Sequence, residues 1–111
     1  MRDDTNGILL SNVETIPGRS ITEQYGLVSG STVRAKNFGK DFIAGLRNVI
    51  GGELPEYTEL LQDARQQAVD RMCKAAAQRG ANAVVNVRFA TSSVASGAAE
   101  LYVYGTAVRV D

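Results

Sequence analysis

The chain of 111 residues contains no histidine, and this absence limits the chemistry it can perform. Histidine is the side chain that most readily transfers protons near neutral pH, so Ser/His/Asp and Cys/His nucleophile systems are excluded. Tryptophan is also absent, and cysteine occurs once, as Cys73. A single cysteine cannot form a disulfide within the chain, which is consistent with a reducing compartment.

The chain also lacks an excess of charge of either sign and any long hydrophobic run. Lys+Arg and Asp+Glu both number 12, and no basic run is interleaved with aromatic residues, which argues against nucleic-acid partners. No run approaches the roughly 18 apolar residues of a membrane span. The first residues, MRDDTNGILL, are acidic where a signal peptide is basic. We therefore predict a cytoplasmic protein without nucleic-acid or membrane partners.

What is present is typical of a globular domain, with 44% hydrophobic and 22% charged residues. We predict that residues 1–111 form a single domain and that the polar residues 1–6 are flexible. The stretch GILLSNV predicts a short strand. A second strand follows in RSITEQYGLVSGSTVRA, where Gly26 and Gly30 indicate a bulge or a close backbone approach. The alternation in this strand places four residues on one face, namely Ile21, Glu23, Tyr25 and Leu27.

Two helices are predicted between this strand and the C-terminal strands. NFGKDFIAGLRNVIGG has the spacing of a short amphipathic helix. A long helix is predicted from Pro55 to Arg79, and Gly80 supplies its left-handed C-terminal end. Its apolar stripe consists of Tyr57, Leu61, Ala64, Ala68, Met72 and Ala75, widened on one side by Val69, Cys73 and Ala76.

The C-terminal third predicts a hairpin. ANAVVNVRFAT places Val85, Val87 and Phe89 on one face, a loop follows around SSVASGA, and ELYVYGTAVRV returns as the second strand. On that strand Tyr102 and Tyr104 share a face. The element order predicts an α+β fold with helices on one face of a mainly antiparallel sheet. Because such a sheet leaves open edges and the net charge is zero, we also predict a homo-oligomer.

Several segments give the chain a resemblance to a known family. IPGRSI, YGLVSG, IGGELPEYTELLQDARQQAVDRM, GANAVVNVRF and YGTAV occur in an order and spacing similar to those of the YbjQ-like proteins, also called UPF0145 or DUF74. The resemblance extends from about Ile16 to Val110. It implies a small dodecin-like β-α-β-β subunit with an extra N-terminal strand, assembled as a homopentamer. It also implies a largely unassigned function, because the family is described as heavy-metal-binding and no reaction is assigned to it.

The residues give that label little support. Transition metals favour imidazole and thiolate ligands, typically four around a structural zinc, and this chain offers one thiol and no imidazole. Cys73 lies beside Met72 and Ala76 on the apolar side of the long helix, as an inert buried thiol would. The alternative is a metal held by a ring of symmetry-related Cys73 residues in an oligomer.

A candidate ligand site lies at the start of the long helix. The resemblance covers Glu53, Tyr57 and Arg65, and the last two lie about two helical turns apart, near one face. They can anchor a ligand, or Arg65 can form a structural ion pair within the subunit or across an interface. Tyr102 and Tyr104 can similarly stack on a flat ligand or pack in a core or interface.

These observations leave three hypotheses about function. The first is a non-enzymatic homopentamer that binds a small ligand or a metal species at its subunit interfaces, or simply assembles. The second is an enzyme that uses Glu53, Tyr57 and Arg65 for acid/base chemistry on a small anionic substrate in an intersubunit cleft. The third is storage of a flavin-type small molecule. The sequence does not identify a cofactor.

Overall fold

The computed structural model describes residues 7–34, 55–95 and 98–111. Within these ranges the four strands form one sheet in the order β1-β3-β4-β2. β4 pairs antiparallel with both β2 and β3, whereas β1 pairs parallel with β3. The predicted α+β fold is confirmed. The elements are β1 (Leu9–Leu10), β2 (Ile21–Arg34), α1 (Pro55–Gln78), β3 (Ala83–Ala95) and β4 (Ala98–Val110).

Several predicted boundaries differ from the observed ones. The short strand predicted in GILLSNV is present and comprises Leu9 and Leu10. The loop predicted around SSVASGA is wrong in extent, because β3 continues to Ala95 and β4 begins at Ala98. The short helix predicted over residues 37–50, and residues 1–6, lie outside the described ranges.

Helix α1 packs on the face of the sheet formed by β2 and β4, and Gly30 of β2 permits this close contact. A Cβ atom at Gly30 would overlap the carbonyl oxygen of Ala68 and lie 2.6 Å from the amide nitrogen of Met72. Side-chain atoms at this position would therefore push the helix away from the strand. The small residues Ala64 and Ala68 on the facing side of α1 are buried, which completes the close approach.

The sheet separates two apolar clusters. The larger lies between α1 and the sheet and includes Met72 and Cys73 of the helix, with Val103 of β4. The smaller lies on the opposite face, which we call the outer face, where Ile16 covers the end of the sheet. The other members of the smaller cluster are Ala83, Val85, Val108 and Val110.

Bulges change the alternation that the sequence predicts. Asn86 has a positive φ of 55°, and the pairing of β3 with β4 shifts between Val85 and Arg88. Val85 therefore packs in the outer cluster while Val87 packs on the helix side, so the prediction that they share a face is wrong.

A similar bulge occurs in β2. Gly26 has a φ of 89°, and the pairing with β4 shifts between Gln24 and Gly26. Tyr25 packs against the helix-side cluster, whereas Leu27, opposite Thr106, lies on the outer face with 71% of its surface exposed. The predicted common face of Tyr25 and Leu27 is therefore wrong, because the bulge at Gly26 intervenes. The bulge itself was predicted.

The segment GANA, which follows α1, connects the helix to the sheet. Gly80 has a φ of 92°, and the amide of Ala81 donates to the carbonyl of Ala76 at 3.1 Å, which closes the helix end as predicted. The Asn82 side chain donates to the carbonyl of Val110 and accepts from its amide, both at 2.8 Å. These residues thus have structural roles, in ending the helix and fixing the end of β4.

We predict that Gly30→Ala lowers the free energy of unfolding by about 3 kcal/mol, the upper end of the cost of overpacking, because the overlapping atoms belong to the helix backbone. Urea denaturation followed by circular dichroism measures this change. Ser29→Ala, at an exposed position of the same strand, serves as the control and should change stability by less than about 0.5 kcal/mol. Equal stability of the two variants would contradict the proposed role of Gly30.

Candidate functional site

A groove of about 880 Å³ lies at the free edge of β3. Its walls are formed by β1, the segment that follows β1, one helix residue and the middle of β3. Three of the apolar side chains there are unusually exposed: Leu9 by 37%, Val13 by 52% and Phe89 by 49%. We call this feature the β3 groove, and its lining residues are Leu9, Leu10, Ser11, Asn12, Val13, Ile16, Pro17, Val69, Val87, Arg88 and Phe89.

The local structure of the segment after β1 shapes one wall of the groove. The hydroxyl of Ser11 donates to the carbonyl of Thr15 at 2.8 Å and accepts from the amide of Val13 at 3.1 Å, which folds the segment into a turn. The amide of Asn86 in turn donates to the carbonyl of Val13 at 2.9 Å. The strand bulge and the turn therefore hold Val13 at the rim of the groove.

Arg88 is the charged residue of the β3 groove. Its guanidinium donates to the carbonyl of Asn12 at 2.6 Å and to that of Val87 at 3.0 Å. These bonds leave other guanidinium N–H groups able to face a ligand. A mostly apolar groove with a fixed cation suits an apolar or amphipathic partner, and no carboxylate is among its described lining residues.

The edge of β3 beside the groove is largely unpaired within the described residues. β1 pairs only with Ala83 and Val84, and two further bonds from the turn reach Asn86 and Val87. Beyond these positions β3 continues to Ala95 with β4 as its described neighbour. An open strand edge bordered by exposed apolar side chains is a surface on which another chain can pair.

The outer face carries the two tyrosines that the sequence placed together. The rings of Tyr102 and Tyr104 stack with their centroids 5.4 Å apart and their planes inclined by 29°, and both are half-buried. Ser31 and Ser29 lie opposite them on β2. Because both neighbours are serines, the β2 side of this ring pair is flanked by short side chains.

A tyrosine–carboxylate pair lies at the exposed surface of β2. The hydroxyl of Tyr25 donates to Glu23 at 2.5 Å, and this bond is the main cause of a raised Tyr25 pKa. Arg109 partly opposes the shift. A raised pKa keeps the phenol protonated at neutral pH, so Tyr25 acts as a hydrogen-bond donor and not as a base.

The described residues do not fit a metal site within one chain. No group of three or more His, Cys, Asp or Glu residues comes together in the ranges that the structure describes. Cys73 is fully buried in the helix-side cluster, and burial, followed by the charge of Asp70, raises its pKa to about 11. A thiol kept protonated inside its own subunit's core cannot ligate a metal without local opening.

The predicted trio at the start of α1 is only partly placed. Glu53 lies outside the described residues, and Tyr57 lies on α1. Arg65 is exposed on the helix, so within a single chain its charge requires no buried partner. The ligand role of Glu53, Tyr57 and Arg65 stays a prediction. Sequence reasoning did not identify the β3 groove, although the apolar ILL and Phe89 were visible signals.

The fold defines a small α+β domain with an apolar groove at one sheet edge. Residues 8–111 match the model of the family described as "Putative heavy-metal-binding". A UPF0145 protein of Hahella chejuensis is 64% identical over 104 residues, covering 94% of this chain and all of that protein. One from Archaeoglobus fulgidus is 57% identical, covering 93% of this chain and 95% of the relative. The chain belongs to the YbjQ-like, or UPF0145, family.

A solved structure is similar in fold. A protein of unknown function from Pediococcus pentosaceus, assigned to the DUF74 family, superposes with a TM-score of 0.52 over 95% of this chain and 99% of that one. The two are 15% identical, so the likeness concerns the fold alone. Among the described residues, no helix is long and apolar enough to span a membrane.

We predict that Cys73 resists thiol-specific reagents in the folded protein at pH 8 and reacts stoichiometrically after unfolding in urea. Because the folded pKa is about 11 and the unfolded one about 9.0, the unfolded state loses its proton first as pH rises. Stability should therefore decline between about pH 9 and pH 11, and the part of this decline due to Cys73 should be absent in Cys73→Ala. Rapid labelling of the folded protein would contradict the burial argument.

Proposed function

We propose that this protein is a non-enzymatic homo-oligomer that binds a small ligand at its subunit interfaces. The single observation that carries the proposal is the β3 groove, where exposed Leu9, Val13 and Phe89 adjoin a strand edge that has no partner beyond Val87 within the described residues. Both the apolar side chains and the open backbone groups are stabilised when a second copy covers them. The zero formal net charge of the chain does little to oppose this association.

The number of subunits that we propose is five, as the family resemblance implies. A ring with an odd number of subunits is built from heterologous contacts, in which one surface of each subunit meets a different surface of the next. The β3 groove is one such surface. We also propose a cytoplasmic location, supported by the single cysteine.

The ligand that this surface favours is a small molecule with an apolar body and an anionic group. The groove walls supply apolar contacts, and the Arg88 guanidinium supplies the charge. A metal species is less favoured, because a ring of Cys73 thiols would require each subunit to open its core. The Tyr102–Tyr104 surface offers a second place for a planar molecule.

Native mass spectrometry of freshly purified protein tests assembly and ligand together. The expected result is a species at five times the chain mass of 11.9 kDa, with additional mass where a ligand is retained. Elemental analysis of the same sample reports any bound metal. A monomer at all concentrations would refute the assembly part of the proposal.

We predict that Phe89→Asp dissociates the oligomer, because a carboxylate at the rim of the groove would have to be buried without a partner. Size-exclusion chromatography with light scattering should show a fall in mass, while circular dichroism shows a folded chain. Leu27→Asp, at an exposed apolar position on the outer face, is the matched control and should keep the parent mass. The reverse outcome would place the interface on the outer face instead.

A further inference from the structure

The two sheet edges are chemically different, and two helix arginines cause the difference at β2. The guanidinium of Arg79 donates through one nitrogen to the carbonyls of Tyr25 at 3.0 Å and Leu27 at 2.9 Å. Arg71 donates to the carbonyl of Ser31. All three acceptors are backbone groups of β2, which in the described residues pairs with β4 alone.

The spacing of these contacts matches the geometry of a helix lying along a strand. Arg71 and Arg79 are two helical turns apart, about 12 Å at ~1.5 Å per residue. Leu27 and Ser31 are separated by about 14 Å at ~3.4 Å per residue, and their even spacing makes both carbonyls point to the same side of β2. This is the pattern expected for carbonyls that point away from β4, which an added strand would need as acceptors.

We infer that Arg71 and Arg79 close the edge of β2 against strand addition by a second copy of the chain. A strand that approached this edge would have to displace charge-assisted hydrogen bonds before forming its own. Natural sheets protect their edges with charged side chains in this way. The edge of β3, by contrast, carries no such contact beyond Val87 within the described residues. Strand addition at the β2 edge is thereby opposed, which prevents open-ended growth of the sheet through this edge.

This inference goes beyond the proposed oligomer and can be tested even if the parent protein is monomeric. The test variant is Arg71→Met/Arg79→Met, which keeps the aliphatic stems and removes the donors. Arg19→Met/Lys74→Met is the matched control, since it removes the same charge from two exposed positions whose side chains form no hydrogen bond to β2 in the described residues. The mass of both variants is followed by light scattering over a range of protein concentrations.

We expect the Arg71→Met/Arg79→Met variant to form larger assemblies than the parent protein. Its average mass at high protein concentration should rise about twofold or more, and its infrared spectrum should show additional β-sheet signal. The control should keep the parent mass. A test variant that is folded, melts cooperatively and keeps the parent mass throughout would overturn the inference. If the control associates to the same extent, the inference is also overturned, because the loss of positive charge alone would then explain the increase in mass.

If the double variant does not fold, Arg79→Met carries the test, since it removes two of the three contacts. A folded Arg79→Met variant should associate more than Lys74→Met, and an unchanged mass would overturn the inference. The two ideas can fail separately. If Phe89→Asp loses the parent oligomer but the arginine variants gain no mass, the proposed assembly stands and this inference fails.

Discussion

The rest of the structure depends on the contact between α1 and β2 at Gly30. Because the strand has no side chain there, the helix backbone at Ala68 and Met72 approaches the strand backbone directly. This approach brings the small residues of the helix, with Met72 and Cys73, into the cluster that stabilises the sheet. It also brings α1 near enough to the sheet margin for Arg71 to reach the backbone of β2.

The sequence motifs around this contact have structural roles. Gly80 ends the helix, Asn82 binds the end of β4, and the Gly26 bulge rotates β2 so that Leu27 faces outward. Cys73, the only thiol, is a core residue whose pKa is raised by burial.

The two edges of the sheet differ within the described residues, and the position of the helix causes the difference. The helix packs over β2 and β4, so within the described residues the helix-side surface of β3 is largely uncovered, and Phe89 and Val87 border a groove. At the opposite edge the same helix supplies the arginines that bind β2 carbonyls. Within the described residues, the position of the helix therefore leaves the β3 edge uncovered and places arginines on the β2 edge.

The sequence by itself determined the elements and the fold class. The glycine-terminated helical period predicted α1 to within one residue, the alternation of ELYVYGTAVRV predicted β4 and its tyrosine face, and Gly26 and Gly30 predicted a bulge or close approach. The α+β class follows from these periodicities because they report local geometry. The family resemblance added specificity through contiguous motifs such as GANAVVNVRF.

Only the tertiary structure decided which faces and edges matter. Bulges at Gly26 and Asn86 each reverse the alternation, so Leu27 and Val85 lie on faces that a strict period of two does not predict. The parallel pairing of β1 with β3, the β3 groove and the arginine contacts to β2 join residues far apart in the chain. Such contacts depend on how elements pack in three dimensions, and the sequence pattern within each element carries no information about its neighbours.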